Sequence, residues 1–377
     1  MKVLDGGFGP NDETAPALRL PDELWNSEND DALICQAVRQ ETVDVKTFVL
    51  RPVVPRRIRF QPGQFMTYAF EINGETINRC YTISSAPTRP DTFSITVKRV
   101  PGGPVSNWLH DNLTPGMQLK ALGPMGTFTC YAHPAPRYLF LSGGSGVTPL
   151  MSMARTFHDL GEQEDIVFVH SARTPADIIF REELELMARL SDQFRFVPIV
   201  EGVTPLSQSN GLRGRLSRGM LETIAPDFLT REVFVCGPGP YMAAMRALLA
   251  GAGFDMSKYH EESFNFEALP AADRADVVIG EAMLEAAPEV KTFKVEFTKT
   301  RRSIEVPENM TVLEAAKRAG MRLPSSCTQG MCGTCKSKKV SGSVDMHHQG
   351  GIRQREIDAG MVLLCCSKPT SDLVIER

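Results

Sequence analysis

Four cysteines near the C-terminus have the spacing of iron–sulfur ligands. Cys327, Cys332 and Cys335 follow the pattern Cys-x4-Cys-x2-Cys, and Cys365 follows after 29 intervening residues. Three thiolates on one short loop and a fourth from a distant strand form the ligand set of a plant-type [2Fe–2S] cluster. A zinc ribbon would show two Cys-x2-Cys knuckles, and this sequence has one. The pattern therefore predicts a site that carries one electron at a time.

The composition is that of a folded protein with more than one domain. Its 377 residues leave room for two or three domains. No apolar run approaches the roughly 18 residues that a membrane span requires, and the first residues lack the basic and apolar regions of a signal peptide. We therefore expect a cytoplasmic protein with reduced thiols, and neither a membrane nor a nucleic-acid partner.

Changes in residue composition and hydrophobic pattern divide the chain into five segments. Short β-type runs separated by Pro and Gly predict an antiparallel β-barrel, and strands alternating with helices predict an α/β doubly wound parallel sheet. A hairpin, a helix, the cysteine loop and a late strand fit a small β-grasp (α+β) ferredoxin. The predicted segments are an irregular arm (1–31), the barrel (32–134), the α/β domain (135–264), an acidic linker (265–289) and the β-grasp domain (290–377).

The charge of −4 is unevenly distributed along the chain. Residues 290–377 contain 15 Lys and Arg against 9 Asp and Glu, whereas the remainder is acidic. Charge complementarity steers association and weakens with salt. We expect the basic domain to dock transiently on the acidic body of this chain or on an acidic partner.

The stretch from Arg79 to Thr82 lies on a predicted barrel strand and offers three useful side chains. Arg79 can pair with a phosphate, Tyr81 can lie against a flat ring, and Thr82 can hydrogen-bond a ring edge. We expect these side chains to share one face of the strand. An ordinary edge strand with one exposed arginine is the alternative.

A second candidate site follows this strand. Gly102 and Gly103 precede an amphipathic stretch that Ser106 is expected to open as a helix. Free backbone N–H groups at a helix N-terminus bind phosphate. The alternative is a simple glycine turn followed by a serine N-cap.

Two glycine-rich turns mark the α/β domain. The segment 142–149 joins a compact apolar strand to a helix, which is the context that a nucleotide-phosphate loop requires. A second turn, 236–240, follows a later strand, and ligands bind at the carboxyl ends of strands in such sheets. Arg173 lies in the loop after the second strand, where the adenosine ribose of a dinucleotide would fall.

These motifs, in this order, resemble the ferredoxin–NADP reductase superfamily with a C-terminal plant-type ferredoxin. The resemblance covers roughly residues 32–377. Members are mostly reductase components of multicomponent oxygenases. The chain looks most like those that serve Rieske non-haem iron oxygenases demethylating quaternary ammonium compounds such as glycine betaine. The family's usual motif has serine where this chain has Thr82, and the hydroxyl is kept.

The resemblance implies a set of cofactor-binding residues. Those near the flavin or its phosphates are Arg79, Tyr81, Thr82, Ser84, Val97, Lys98, Gly103, Ser106 and Phe264. Those near the nicotinamide nucleotide are Gly143, Gly144, Gly146, Thr148, Pro149, Arg173, Cys236, Gly237 and Met242. The family pattern selects Cys365 rather than its neighbour Cys366 as the fourth cluster ligand. Cys236 has the alternative role of a small buried apolar residue.

The identity of two cofactors depends on further reasoning. FAD is favoured over FMN because the predicted phosphate-binding turn at Gly102 and Gly103 suits a pyrophosphate, which FAD contains and FMN lacks. Arg173 could bind the 2′-phosphate of NADPH. Relatives with a similar Ser-Ala-Arg-Thr loop generally use NADH, so NADH is favoured and NADPH remains possible.

Together these features predict an NAD(P)H-dependent flavin and iron–sulfur oxidoreductase. A nicotinamide delivers two electrons as hydride, a [2Fe–2S] cluster accepts one, and a flavin converts between them. We expect electrons to pass from NADH through FAD and the cluster to a terminal oxygenase or another metalloprotein, with no side chain acting as a general acid or base. The histidines are expected to be structural or surface residues. Alternatives are a reductase for a hybrid-cluster protein or a diiron monooxygenase, a zinc-bearing module on a flavin enzyme, and a non-catalytic electron carrier.

Overall fold

The computed structural model describes residues 23–27, 31–161, 164–202, 212–263, 291–321, 323, 325 and 328–377. The predicted linker and most of the predicted arm lie outside these ranges. No helix among the described residues is long and apolar enough to cross a membrane.

The first domain is an antiparallel barrel. Its elements are β1 (Ala32–Thr42), β2 (Val45–Pro52), β3 (Phe65–Ile72), β4 (Glu75–Thr82), β5 (Phe93–Lys98), α1 (Pro104–Asn112) and β6 (Gln118–Met125). Within the described ranges the strand order is β4-β3-β6-β1-β2-β5, and a bridge between Ile83 and Ile95 joins the two ends of the sheet. Phe48, Tyr68 and Phe93 are among the side chains that fill the interior. The predicted barrel is confirmed.

Residues 23–27, at the end of the predicted arm, pack against this barrel. Trp25 is buried, and its backbone N donates to Arg57 O at 2.8 Å. The hydroxyl of Ser27 accepts a hydrogen bond from Gly123 N at 3.2 Å. This part of the arm therefore belongs to the barrel.

The second domain is a doubly wound parallel sheet, as predicted. Its elements are β7 (Arg137–Gly143), α2 (Val147–Leu160), β8 (Asp165–Ala172), α3 (Arg181–Leu190), β9 (Phe194–Val200), β10 (Leu212–Arg213), α4 (Arg218–Ile224), β11 (Glu232–Gly237), α5 (Gly239–Gly251) and β12 (Tyr259–Ser263). Phe140 and Phe168 pack in a core on one face of the sheet, and Leu139 and Val167 pack in a core on the other. Burial of both faces explains why its strands are almost continuously apolar.

The order of these strands determines where a ligand can bind. The described strands run β10-β9-β8-β7-β11-β12, all parallel. The chain moves outward from β7 in one direction and then restarts at β11 on the other side. The space between the carboxyl ends of β7 and β11 is therefore the switch point at which such sheets bind ligands.

The third domain carries the cysteine loop. Its elements are β13 (Thr292–Phe297), β14 (Arg302–Pro307), α6 (Val312–Arg318), β15 (Lys336–Ser341), β16 (Val344–Met346), α7 (Gln354–Asp358), β17 (Met361–Leu363), β18 (Ser367–Pro369) and β19 (Leu373–Glu376). In the described part of this domain the main sheet has the order β14-β13-β19-β15-β17. The Thr311 hydroxyl caps α6 by accepting from Glu314 N at 3.3 Å, and Gly320 follows the helix at φ 71°. The predicted hairpin, helix and late strand are all present.

Candidate functional site

Strand β4 presents its candidate flavin residues on two faces rather than one. Tyr81 lies opposite Met66 on β3, and Thr82 lies opposite Phe65. Adjacent strand residues point to opposite faces, so the prediction that Arg79, Tyr81 and Thr82 share a face is wrong for Thr82. Arg79 and Tyr81 do share one.

The environments of these residues suit a planar, phosphorylated ligand. The Thr82 hydroxyl oxygen is fully buried and has no hydrogen-bond partner among the described residues. Such orphaned buried groups are rare in proteins unless a ligand or water completes them. The Tyr81 ring lies 6.1 Å from the Tyr68 ring, which limits its orientations. Arg79 has no carboxylate partner within the described ranges, so its charge is available to an anion.

The structure of the predicted phosphate-binding turn at Gly102 and Gly103 differs in detail from the prediction. The helix α1 begins at Pro104, two residues before Ser106, because proline suits the first helical position. The Ser106 hydroxyl is buried and folds back on the turn, accepting from Val100 N at 3.1 Å. Gly102, at φ 72°, forms the turn that Ser106 stabilises. The prediction that Ser106 opens the helix is therefore wrong.

Other predicted flavin residues are engaged within the barrel. The Ser84 hydroxyl is 2.9 Å from that of Thr96, which is 2.8 Å from that of Thr47. Lys98 forms an ion pair with Asp44 at 2.7 Å. The carbonyl oxygen of Val97, a buried residue, is 2.9 Å from His110 Nε2. Phe264 lies outside the described residues.

The two glycine-rich turns meet at the switch point of the parallel sheet. A Cβ added to Gly146 would lie 2.3 Å from Cys236 O, so only glycine permits this approach. The Tyr241 ring lies against both Gly143 and Gly237, where an added Cβ would come within 3.0 Å and 2.7 Å of it. Gly144 has φ 52°, which favours glycine. The structure thus brings the turns of β7 and β11 together.

The remaining nucleotide candidates surround this junction. Thr148 is buried and its hydroxyl donates to Ser145 O at 3.1 Å. Pro149 and Met242 are buried, and Arg173 is exposed in the loop after β8. Burial raises the pKa of the Cys236 thiol well above its ordinary value, so this thiol is neutral.

Sequence reasoning missed Glu262 at the edge of this site. Glu262 on β12 is the register partner of Cys236 on β11. Burial raises the pKa of its carboxyl from 4.5 to about 8, and one of its oxygens has no partner among the described residues. No local motif surrounds Glu262, and only the pairing of β12 with β11 reveals its position.

Arg155 was also missed, and it joins the barrel to the parallel-sheet domain. Its guanidinium forms a two-point ion pair with Glu183 and donates to the carbonyl oxygen of Ser84. The Ser152 hydroxyl donates to Ser85 O at 2.7 Å. These contacts attach the segment that follows β4 to the helix that follows the glycine turn.

The described cluster cysteines converge in the third domain. Cys332, Cys335 and Cys365 are buried, and Gly330 N donates to Cys365 Sγ at 3.2 Å. Hydrogen bonding with Cys365 lowers the pKa of Cys335, which favours the thiolate form that binds metal. Cys327 lies outside the described residues. The thiol chemistry and the inward N–H group fit a [2Fe–2S] cluster.

The cysteine loop is docked on the barrel. Thr67 Oγ1, on β3, donates to the backbone oxygen of Cys332 at 2.7 Å, and Cys80 Sγ, on β4, donates to the same oxygen at 3.4 Å. Cys80 and Thr82 occupy the same face of β4 because they are two residues apart. The cluster loop therefore rests on the strand face that carries the orphaned Thr82 hydroxyl.

An ion-pair cluster supports this docking. Arg353 of the third domain donates to Ala121 O on β6 at 2.9 Å and pairs with Asp31 at 3.1 Å. Arg355 pairs with the same carboxylate at 3.1 Å. The basic domain thus contacts an acidic residue next to the barrel, as one of the two predicted docking modes requires.

Comparison with models of known protein families divides the chain into the same three domains. Three family models match in succession: an oxidoreductase FAD-binding domain (34–130), an oxidoreductase NAD-binding domain (140–247) and a 2Fe-2S iron-sulfur cluster binding domain (295–370). They confirm the predicted FAD, nicotinamide nucleotide and [2Fe–2S] cofactors.

Similar proteins cover nearly the whole chain. The chain is 51% identical over 345 residues to the glycine betaine monooxygenase reductase subunit of Pseudomonas aeruginosa, covering 91% of this chain and 94% of the relative. It is 41% identical over 344 residues to the stachydrine N-demethylase reductase subunit of Rhizobium meliloti, covering 91% and 96%. The solved structure of phthalate dioxygenase reductase matches in fold, with a TM-score of 0.54, 24% identity, and 94% and 100% of the two chains covered.

Proposed function

Because this chain belongs to the family of flavin- and [2Fe–2S]-containing oxygenase reductases that includes the glycine betaine monooxygenase reductase subunits, we propose that its electron acceptor is a Rieske oxygenase that demethylates glycine betaine or a related quaternary ammonium compound. The chain is an NAD(P)H-dependent oxidoreductase that passes electrons through FAD and the cluster. The names of the relatives support the class of acceptor.

For the flavin, we propose that the ring lies across the end of β4, where Thr82 hydrogen-bonds its edge from one face of the strand and Tyr81 lies against it from the other, and that Arg79 binds phosphate. The orphaned hydroxyl of Thr82 and the unpaired charge of Arg79 within the described ranges support these roles. Ser84, Val97, Lys98 and Ser106 shape the site, since each is already engaged in a hydrogen bond or ion pair within the barrel domain. When bound, the flavin supplies the exchange between hydride and single electrons.

For the nicotinamide nucleotide, we propose that the turns after β7 and β11 bind the cofactor. Gly144 keeps the backbone open to the phosphates, and Gly143 and Gly146 let the two turns pack closely together. Cys236 borders the nicotinamide as a neutral thiol, which fits a hydride transfer that needs no thiolate. NADH is the preferred donor, and Arg173 on the exposed loop contacts the adenosine ribose.

For the cluster, we propose Cys327, Cys332, Cys335 and Cys365 as ligands. The single observation that best supports electron transfer from the flavin to the cluster is the contact of Cys332 with Thr67 and Cys80. This contact between β4 and Cys332 supports a short path from the proposed flavin strand to a proposed cluster ligand.

Reconstitution with a purified oxygenase tests the acceptor. With NADH, the chain and the oxygenase component of a glycine betaine demethylating system, we expect substrate-dependent NADH oxidation and formaldehyde release. Cys365→Ser should abolish this coupling while leaving NADH-driven ferricyanide reduction intact. Turnover only with a diiron monooxygenase or a hybrid-cluster protein would reject the proposed acceptor. A clear preference for NADPH in kcat/KM would reject NADH as the donor.

A further inference from the structure

Two histidines and a glutamate form a cluster away from the cofactor sites. His133, Glu232 and His260 each offer one ligand atom, and these atoms all lie within 4.8 Å of one another. His260 Nε2 is 2.6 Å from Glu232 Oε1. The three residues are only partly buried, so an ion could enter from solvent.

The fold holds these side chains together. Glu232 is the first residue of β11, and His260 lies on the neighbouring strand β12 in register with Phe234. His133 comes from the segment that leaves the barrel, just before β7. The two histidine rings are stacked with centroids 3.6 Å apart, and the Phe234 ring lies 4.8 Å from His260 and 6.1 Å from His133. Packing therefore restricts the rotamers of both histidines.

The donor set selects a class of ion. Two imidazole nitrogens and a carboxylate oxygen suit Zn²⁺ and similar first-row ions, whereas Mg²⁺ and Ca²⁺ prefer oxygen ligands alone. At zinc bond lengths of about 2.0–2.2 Å, tetrahedral ligand atoms lie roughly 3.3–3.6 Å apart. The ligand atoms, which lie within 4.8 Å of one another, must therefore move closer together when the ion binds.

We propose that His133, Glu232 and His260 bind a divalent transition-metal ion of the zinc type, with water completing the coordination. The site lies towards the amino ends of β11 and β12, whereas the glycine-rich turns lie at the carboxyl ends of β7 and β11. Its role is therefore structural. The ion ties the segment leaving the barrel to two strands of the parallel-sheet domain.

Zinc titration of the holoprotein tests this site. With flavin and cluster intact, we expect saturable binding of one Zn²⁺ by calorimetry. His133→Gln, Glu232→Gln and His260→Gln should each weaken binding roughly 100-fold or more, since even groups beyond the ligands contribute roughly 10- to 100-fold. His158→Gln, which changes an exposed histidine on α2, should bind zinc like the unaltered chain.

Two further measurements distinguish metal ligation at this cluster from zinc binding elsewhere on the chain. X-ray absorption at the zinc edge should show imidazole and oxygen neighbours without sulfur. Zinc should raise the Tm of the unaltered chain and of His158→Gln, but not that of the three ligand variants. Sulfur ligation, binding that the variants do not weaken, or no saturable binding would each overturn the proposal and leave only the hydrogen bond between His260 and Glu232.

Discussion

Replacing Thr67 with valine isolates one contact between the barrel and the cluster loop, because it removes a hydroxyl and preserves the side-chain shape. The bond from Thr67 Oγ1 to Cys332 O is 2.7 Å long and buried. Without it, the carbonyl keeps the weaker Cys80 thiol donor at 3.4 Å. Leaving a buried carbonyl poorly paired costs roughly 1–2 kcal/mol. That energy weakens docking of the third domain about 5- to 30-fold.

The effect should appear in one electron-transfer step and not in the other. In anaerobic stopped-flow experiments, flavin reduction by NADH should be unchanged, because the Thr67 hydroxyl hydrogen-bonds Cys80 and Cys332 and, among the described residues, no residue of the nucleotide turns. Cluster reduction, followed by freeze-quench electron paramagnetic resonance, should slow by up to the same factor. Thr67→Ser keeps the donor and should restore most of the rate.

Two outcomes would refute this reasoning. If Thr67→Val reduces the cluster as fast as the unaltered chain, the contact does not control transfer. If Thr67→Ser is as slow as Thr67→Val, packing of the methyl group matters and the hydrogen bond does not. Iron content and flavin content, measured for every variant, control for loss of cofactor.

Three other predictions concern the remaining sites. Cys365→Ser should lose the cluster signal and its iron, whereas Cys366→Ser should retain both. A Cys365→Ser variant that keeps its iron and its cluster signal would remove Cys365 from the ligand set. Gly146→Ala should lower kcat/KM for NADH at least about tenfold, since the added Cβ would lie 2.3 Å from a backbone oxygen, whereas Gly219→Ala, which meets nothing within 4 Å, should have no effect. Glu262 has a folded pKa of about 8, above its ordinary 4.5, so the folded chain holds a proton that the unfolded chain releases between these values. The free energy of unfolding should therefore fall as pH rises from about 5 to 8, by at most about 1.4 kcal/mol per unit; urea titrations of Glu262→Gln that show the same slope would contradict this.

The cluster loop and the glycine turns could be found from sequence because their requirements are local. Cysteine spacing fixes which thiols share a loop, and Gly146 follows its strand directly. The direction of the Thr82 side chain was also predictable from sequence, since adjacent strand residues cannot share a face. Pro104 likewise indicated that α1 begins before Ser106.

Contacts between domains could not be predicted in this way. Thr67 and Cys332 are 265 positions apart, and Asp31 and Arg353 are 322 apart. Charge counting suggested that the basic domain docks on an acidic body, but it could not choose Asp31 among the 36 acidic residues that lie outside residues 290–377. Such pairings depend on how the three folded domains pack against one another, and no short sequence pattern encodes that packing.

The position of the docked domain constrains how electrons leave it. The proposed flavin edge at Thr82 and the cluster contact at Cys80 are alternate residues of β4, about 6.6–6.8 Å apart along the strand. Docking therefore shortens the path into the cluster, but it covers Cys332 with the barrel. Electrons must leave through the opposite face of the third domain or after it detaches. Detachment breaks the Asp31–Arg355 ion pair, whose arginine is half-exposed, so delivery by this route rises with ionic strength while loading of the cluster falls.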